Sequence, residues 1–111
     1  MRDLTPAKRR PRALAIDPVA LRAHAGDAAQ LLKLLGNEKR LMVLCLLAEG
    51  ERSVGQINAE LDLSQSALSQ HLAILRADGL VETRRNAQTI YYTLAACPAR
   101  TIIETLHGIY C

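Results

Sequence analysis

The chain has 111 residues, half of them apolar and 23% charged, with no Phe or Trp. That length sets one small domain around a single Leu, Ile, Val and Ala core; no apolar run is long enough to cross a membrane and no apolar signal segment opens the chain, so a cytoplasmic protein is expected. The formal charge of +3 sits at the front: the first 17 residues carry five basic side chains against two acidic ones, and residues 18–111 are balanced nine to nine.

Residues 1–17, MRDLTPAKRRPRALAID, read as a disordered basic arm broken by prolines. It is either a solubilising tail or a source of non-specific affinity for phosphates. Residues 18–111 read as one folded domain. Asp17-Pro18 has the pattern of an N-cap followed by Pro at the first helical position, and predicts a helix to Leu35 that stops at Gly36. Asn37 caps the next helix, EKRLMVLCLLAE, which Gly50 closes. That segment is apolar almost all round, so it belongs in the centre of the core. Ser53-Val-Gly-Gln56 matches a capping box and opens a short helix to Leu61. Asp62-Leu63 forms a tight connection, and Ser64 caps a further helix that ends at Asp78-Gly79. Two short helices joined by so tight a turn form a helix-turn-helix.

The period then changes. LVETRR and QTIYYTL alternate in the manner of strands, with Arg85 to Gln88 as the turn. A hairpin without Gly predicts a slightly open tip. Pro98 starts a last helix whose Ile102, Ile103, Leu106, Ile109 and Tyr110 form one stripe. Neither that stripe nor the first helix has an evident partner inside so small a domain, and each is a candidate dimer surface. The expected fold is therefore mainly α with a two-stranded β-wing: a homodimeric winged helix-turn-helix with dimerisation helices at both ends.

The segment SQSALSQHLAIL (64–75) carries no formal charge, although charge is common elsewhere in the chain. On a helical wheel Leu68, Leu72 and Leu75 share the core side, flanked by Ile74. Gln65, Ser66, Ser69, Gln70 and Ala73 fall on or near the opposite side. The major groove admits a helix, and base edges offer donors, acceptors and methyl groups. Gln pairs with adenine, Ser with several bases, and Ala with a thymine methyl. An acid on that face would repel the flanking phosphates. Arg76 at the helix end, Arg84 and Arg85 in the hairpin, and Gln88 at its turn complete the expected DNA contacts, the arginines holding phosphates and fixing register. His71, beside the core flank, is a packed histidine, a phosphate donor or a base reader. A winged helix used for protein contact is the competing class, and acids on the 65–73 face would have favoured it. Nothing resembles an enzyme: there is no Cys–His nucleophile spacing, no paired carboxylates and no phosphate loop.

Three cysteines, Cys45, Cys97 and Cys111, do not make a disulfide framework in a reducing compartment. They are buried thiols, metal ligands or redox sensors.

This order of elements, carried by LLGNEKRLMVLCLL (34–47) and SVGQINAELDLSQSALSQHLAILRADGLVETRRNAQTIYYTL (53–94), resembles the ArsR/SmtB winged-helix repressors over residues 20–111. The resemblance implies a homodimer that binds double-stranded operator DNA as a transcriptional regulator, in the repressor sense, and releases it on sensing an effector. Metal-sensing members carry a Cys-x-Cys motif in the helix before the recognition helix, or Asp and His pairs on the last helix. Here the first of these reads SVGQINAEL, and the last helix has His107 alone with no Asp. Zinc needs about four ligands, so only a Cys45, His107 and Cys111 set supports a metal-responsive alternative, and no metal or other cofactor is expected. The placement of Cys45 and Cys111 is similar to the thiol-sensing, HlyU-, BigR- and SqrR-like branch. That likeness implies a reactive sulfur species, a persulfide or polysulfide, as effector, with Cys45 and Cys111 as the sensing pair and Cys97 as a bystander. A disulfide needs Cα atoms within about 6.8 Å; a polysulfide bridge spans more, so a wider gap would favour sulfur chains over peroxide.

Overall fold

Among the described residues, four of the five helices start where a side-chain oxygen accepts a backbone N–H. Asp17 receives Val19 N–H and opens α1 (Pro18–Leu35), and Asn37 receives Arg40 N–H at 3.0 Å and opens α2 (Glu38–Ala48). Ser53 and Gln56 make both bonds of a capping box, at 3.2 and 2.8 Å, ahead of α3 (Val54–Leu61). Ser64 receives Ala67 N–H at 3.1 Å ahead of α4 (Gln65–Ala77). Each bond satisfies a donor that a helix start leaves open. The fifth helix, α5 (Pro98–Tyr110), begins at Cys97 with no side-chain cap. These elements come from a computed structural model that describes residues 12–111. The first eleven residues of the expected basic arm lie outside the described residues; residues 12–17 are exposed and have no regular structure.

Asp62 adopts the left-handed conformation, φ 50° and ψ 50°, and so turns α3 sharply into α4. A short polar side chain tolerates that region better than most. The helix-turn-helix rests on α2, which is central as its apolar girth predicts: Val43, Leu44 and Leu47 are buried. From α4, Leu68, Leu72 and Leu75 enter the same core as Ile57 of α3 and Leu34 of α1. Burying each such Leu contributes about 1.5–3 kcal/mol, which fixes which face of α4 points away.

The two-stranded wing forms as expected, from β2 (Val81–Asn86) and β3 (Thr89–Leu94), and gains a third strand: Arg52–Ser53 forms a short β1 on the other edge of β3, giving an antiparallel sheet in the order β1-β3-β2. Two expectations change. The hairpin tip is closed, not open: Asn86 faces Thr89, leaving only Ala87 and Gln88 in the turn. Ala87 takes the positive φ, 57°, that a glycine would normally supply. Finally, the stripe of α5 is divided. Ile103 is fully buried, with Ile102 packed against the same core, so this half does find a partner inside the domain. Ile109 and Tyr110 remain 65% and 81% exposed.

Candidate nucleic-acid interface and thiol pocket

With its three leucines inward, α4 presents Gln65, Ser66, Ser69, Gln70 and Ala73 to the outside. Gln65 and Ser69 line a groove of about 520 Å3 shared with Gln88 of the wing turn and with Ser53 and Gly55 at the start of α3. Ser69 also borders an adjoining groove of about 490 Å3 with Ala73, Arg76 and Tyr92. The sheet therefore stands beside the exposed face of α4, and Gln88, far from α4 in sequence, joins its surface.

The two wing arginines differ. Arg84 donates from Nε and Nη2 to the two carboxylate oxygens of Glu51, at 3.0 and 2.7 Å. Its guanidinium lies 4.6 Å from the centre of the Tyr91 ring, directly across the ladder. The hydrogen bond from Arg84, with its charge adding, holds the Glu51 carboxyl below the usual carboxylate range. Arg85, the next residue along the strand, points to the other face and is exposed. Arg76 is exposed at the end of α4.

His71 is half-buried on the flank of α4, and its Nδ1 is buried without a hydrogen-bond partner among the described residues. Burial first, and the charge of Arg40 second, push its pKa down. Arg40 itself is fixed by donation from Nε to the Leu34 carbonyl at 2.9 Å. Of the readings open for His71, a packed, neutral imidazole agrees best with this environment.

On the side of the core where α2 meets α5, Cys45 and Cys111 line one pocket of about 270 Å3, walled by Leu41, Met42, Leu106 and Tyr110. Both thiols are free. Cys45 is half-buried and Cys111 exposed. Burial, then Cys111, then Glu49 push the Cys45 thiol up, since all three disfavour the thiolate. Cys97 lies at the opposite end of α5, half-buried against the core. One turn from the thiols, His107 Nε2 is 3.2 Å from Glu49 Oε2, and Glu49 is also 3.7 Å from Arg52. Among the described residues no three His, Cys, Asp or Glu side chains gather as a metal-ligand set, and no helix is long and apolar enough to cross a membrane.

The parts played by Glu51, Tyr91, Glu49 and the pocket wall are not evident from sequence. One signal does exist: Cys45 and Glu49, and His107 and Cys111, are both four apart, so each pair shares a helix face.

The family model described as bacterial regulatory protein, arsR family, matches residues 37–83. The chain is 53% identical over 88 residues to the transcriptional activator HlyU of Vibrio cholerae serotype O1, spanning 79% of this chain and 82% of that one. It is 48% identical over 92 residues to the biofilm growth-associated repressor of Agrobacterium fabrum, spanning 83% and 79%. Among solved structures, reduced HlyU from Vibrio cholerae N16961 superposes with a TM-score of 0.79 at 51% identity, covering 83% of this chain and 97% of that one.

Proposed function

The chain belongs to the arsR family of bacterial transcriptional regulators, and from that premise we propose that it is a homodimeric, operator-binding repressor whose hold on DNA is switched by reactive sulfur at Cys45 and Cys111. The observation that carries this reading is the shared pocket: two free thiols, far apart in sequence, border one apolar cavity between a core helix and the last helix.

On DNA, Gln65, Ser66, Ser69 and Gln70 meet base edges in the major groove, the readout their donors and acceptors suit. Arg76, Arg85 and Gln88 contact the backbone beside it, while His71, half-buried on the flank of α4, packs rather than contacts DNA. Arg84, its charge offset by Glu51, stiffens the wing. The exposed Val19, Leu21 and Leu32 of α1 and Ile109 and Tyr110 of α5 support dimerisation through the two end helices. Two-fold symmetry then sets two recognition helices on the half-sites of an imperfect palindrome.

The sulfur chemistry balances without an external oxidant beyond the effector. The Cys45 thiolate attacks the terminal sulfur of a hydropersulfide, R–S–SH. An Sγ–S bond forms, the donor S–S bond breaks, and R–S⁻ leaves and takes up a proton. Cys111 is loaded in the same way. The terminal sulfur of the Cys111 persulfide then attacks Cys45 Sγ and expels HS⁻, leaving a three-sulfur bridge. Such a bridge ties α5, a dimer element, to α2 behind the DNA-reading unit and changes the spacing of the recognition helices. A tenfold loss of affinity needs only about 1.4 kcal/mol.

The test is operator binding by fluorescence anisotropy with promoter DNA. Reduced protein binds and persulfide-treated protein releases. Cys45→Ser and Cys111→Ser bind but ignore persulfide, and Cys97→Ser responds normally. Loss of the response in Cys97→Ser, or release of the wild type by zinc alone, overturns the thiol-pair assignment.

A further inference from the structure

Of the two adjacent wing arginines, Arg84 has a bonding edge already filled from within the chain. Its Nε and Nη2 donate side by side to Oε2 and Oε1 of Glu51, at 3.0 and 2.7 Å. Two parallel bonds from one edge of a guanidinium are the fork by which arginine also takes a phosphate. One face of the same guanidinium lies over the Tyr91 ring, 4.6 Å from its centre. Ser53 of β1 stands opposite Tyr91 of β3, and Tyr91 stands opposite Arg84 of β2. Arg84 therefore reaches over the ring of the middle strand toward the acid that precedes the first. The pair is at the surface, with the Arg84 side chain 53% and that of Glu51 32% exposed.

Glu51 is fixed where it is. Gly50, at φ 149°, turns the chain out of α2 in a conformation that side chains rarely adopt. Arg52 Nη1 donates to the carbonyls of Gly50 at 3.0 Å and of Glu51 at 3.3 Å. Arg52 itself lies between the carboxylates of Glu49 and Glu60, 3.7 Å from each. A phosphate approaching Arg84 must displace a carboxylate that is tethered beside it and cannot diffuse away.

We propose that the Glu51 carboxylate is a built-in stand-in for a DNA phosphate: it fills the fork of Arg84, keeps that cation out of the set that neutralises the DNA backbone, and so limits the chain's sequence-independent affinity for DNA. The inference rests on the operator-binding part of the reading above and is independent of the sulfur switch. Phosphate contacts add affinity without sequence information. Silencing one of them leaves a larger share of the binding to the base-reading face of α4.

The experiment follows fluorescence anisotropy of a labelled promoter duplex and its scrambled counterpart with full-length reduced protein, across a salt series. In Glu51→Gln an oxygen still accepts from Arg84 while the negative charge is gone. That variant should steepen the fall of log K with log salt by about 0.9 for each phosphate gained, and bind the scrambled duplex roughly threefold to eightfold more tightly at about 0.1 M salt. The gain should vanish when Arg84→Gln is added, because Glu51 acts through that cation. Arg84→Gln alone should leave the slope nearly unchanged, a reading that does not depend on altering Glu51. An unchanged slope in Glu51→Gln overturns the inference. A gain that survives Arg84→Gln also overturns it, since Glu51 would then repel DNA directly. The same holds if Arg84→Gln alone flattens the slope by a full phosphate. Failure of the operator-binding reading is distinct: the wild type would then hold the promoter duplex no more tightly than the scrambled one.

Discussion

His107 and Glu49 form a polar rung, 3.2 Å long, beside the sulfur pair on the same two helices. Glu49 is one turn beyond Cys45 on α2, and His107 is one turn before Cys111 on α5. The two helices therefore meet along this face in opposite directions. The Glu49 carboxylate also reaches the thiol electrostatically, as the third cause of the raised Cys45 pKa, after burial and Cys111.

Glu49→Gln should therefore lower the Cys45 pKa while keeping an oxygen to accept from His107. A lowered thiol pKa means more thiolate at neutral pH, and the thiolate is the reactive form. The rate of iodoacetamide alkylation of Cys45 against pH should move its midpoint to lower pH. A midpoint that stays fixed or rises would show that Glu49 does not act on the thiol.

Gln70→Ala should lose discrimination of about 1–3 kcal/mol at one base position, the scale of a missing bidentate pair. Binding to random DNA should hardly change. Anisotropy titrations with operator and scrambled duplexes measure both, and an equal loss on the two would refute base reading by Gln70.

The wing arginines should separate in salt titrations. Arg85→Ala should weaken all sequences and flatten the slope of log K against log salt by about 0.9 for each phosphate no longer neutralised. Arg84, already neutralised by Glu51, should change the slope less. If Arg84→Ala flattens the slope as much as Arg85→Ala, the ion pair with Glu51 opens on DNA.

His71 should make the fold sensitive to mild acid. Its pKa is lowered in the folded state by burial and by Arg40, so the unfolded chain binds the proton more readily. Stability then rises with pH wherever the unfolded state holds more protons. It should fall as pH drops through about 6.5, the unfolded value, and level off below the folded value. Urea unfolding between pH 5 and pH 8 checks this, with His71→Gln expected to reduce the slope. An unchanged slope in that variant would assign the effect elsewhere.

Much of the fold is legible in the sequence because its signals are local. Asp17, Asn37, Ser53 and Ser64 mark four helix starts by the chemistry of their own side chains, and the Leu spacing of α4 fixes its buried side. The candidate reading face follows directly from that spacing. What escapes is non-local or too short to show a period. A two-residue strand has no alternation, so Arg52–Ser53 reads as a cap alone. The tip at Ala87-Gln88 lacks the glycine that usually signals a closed turn, because six cross-strand pairs hold Ala87 where its preference would not. The division of α5 depends on tertiary packing, and the clamp of Glu51 on Arg84 joins residues 33 apart. In sequence, Cys45 and Cys111 are paired by family likeness alone; their common cavity depends on how α2 and α5 cross.

Ser53 is both the last residue of β1 and the N-cap of α3. The sheet and the helix-turn-helix consequently share a residue, with no linker between them. A protein engineer extending the wing has one free end to work from, at Ala87-Gln88. Residues inserted between Arg52 and Val54 would part the strand pairing and the capping box together, and the grafted wing would lose its aim along with its anchor.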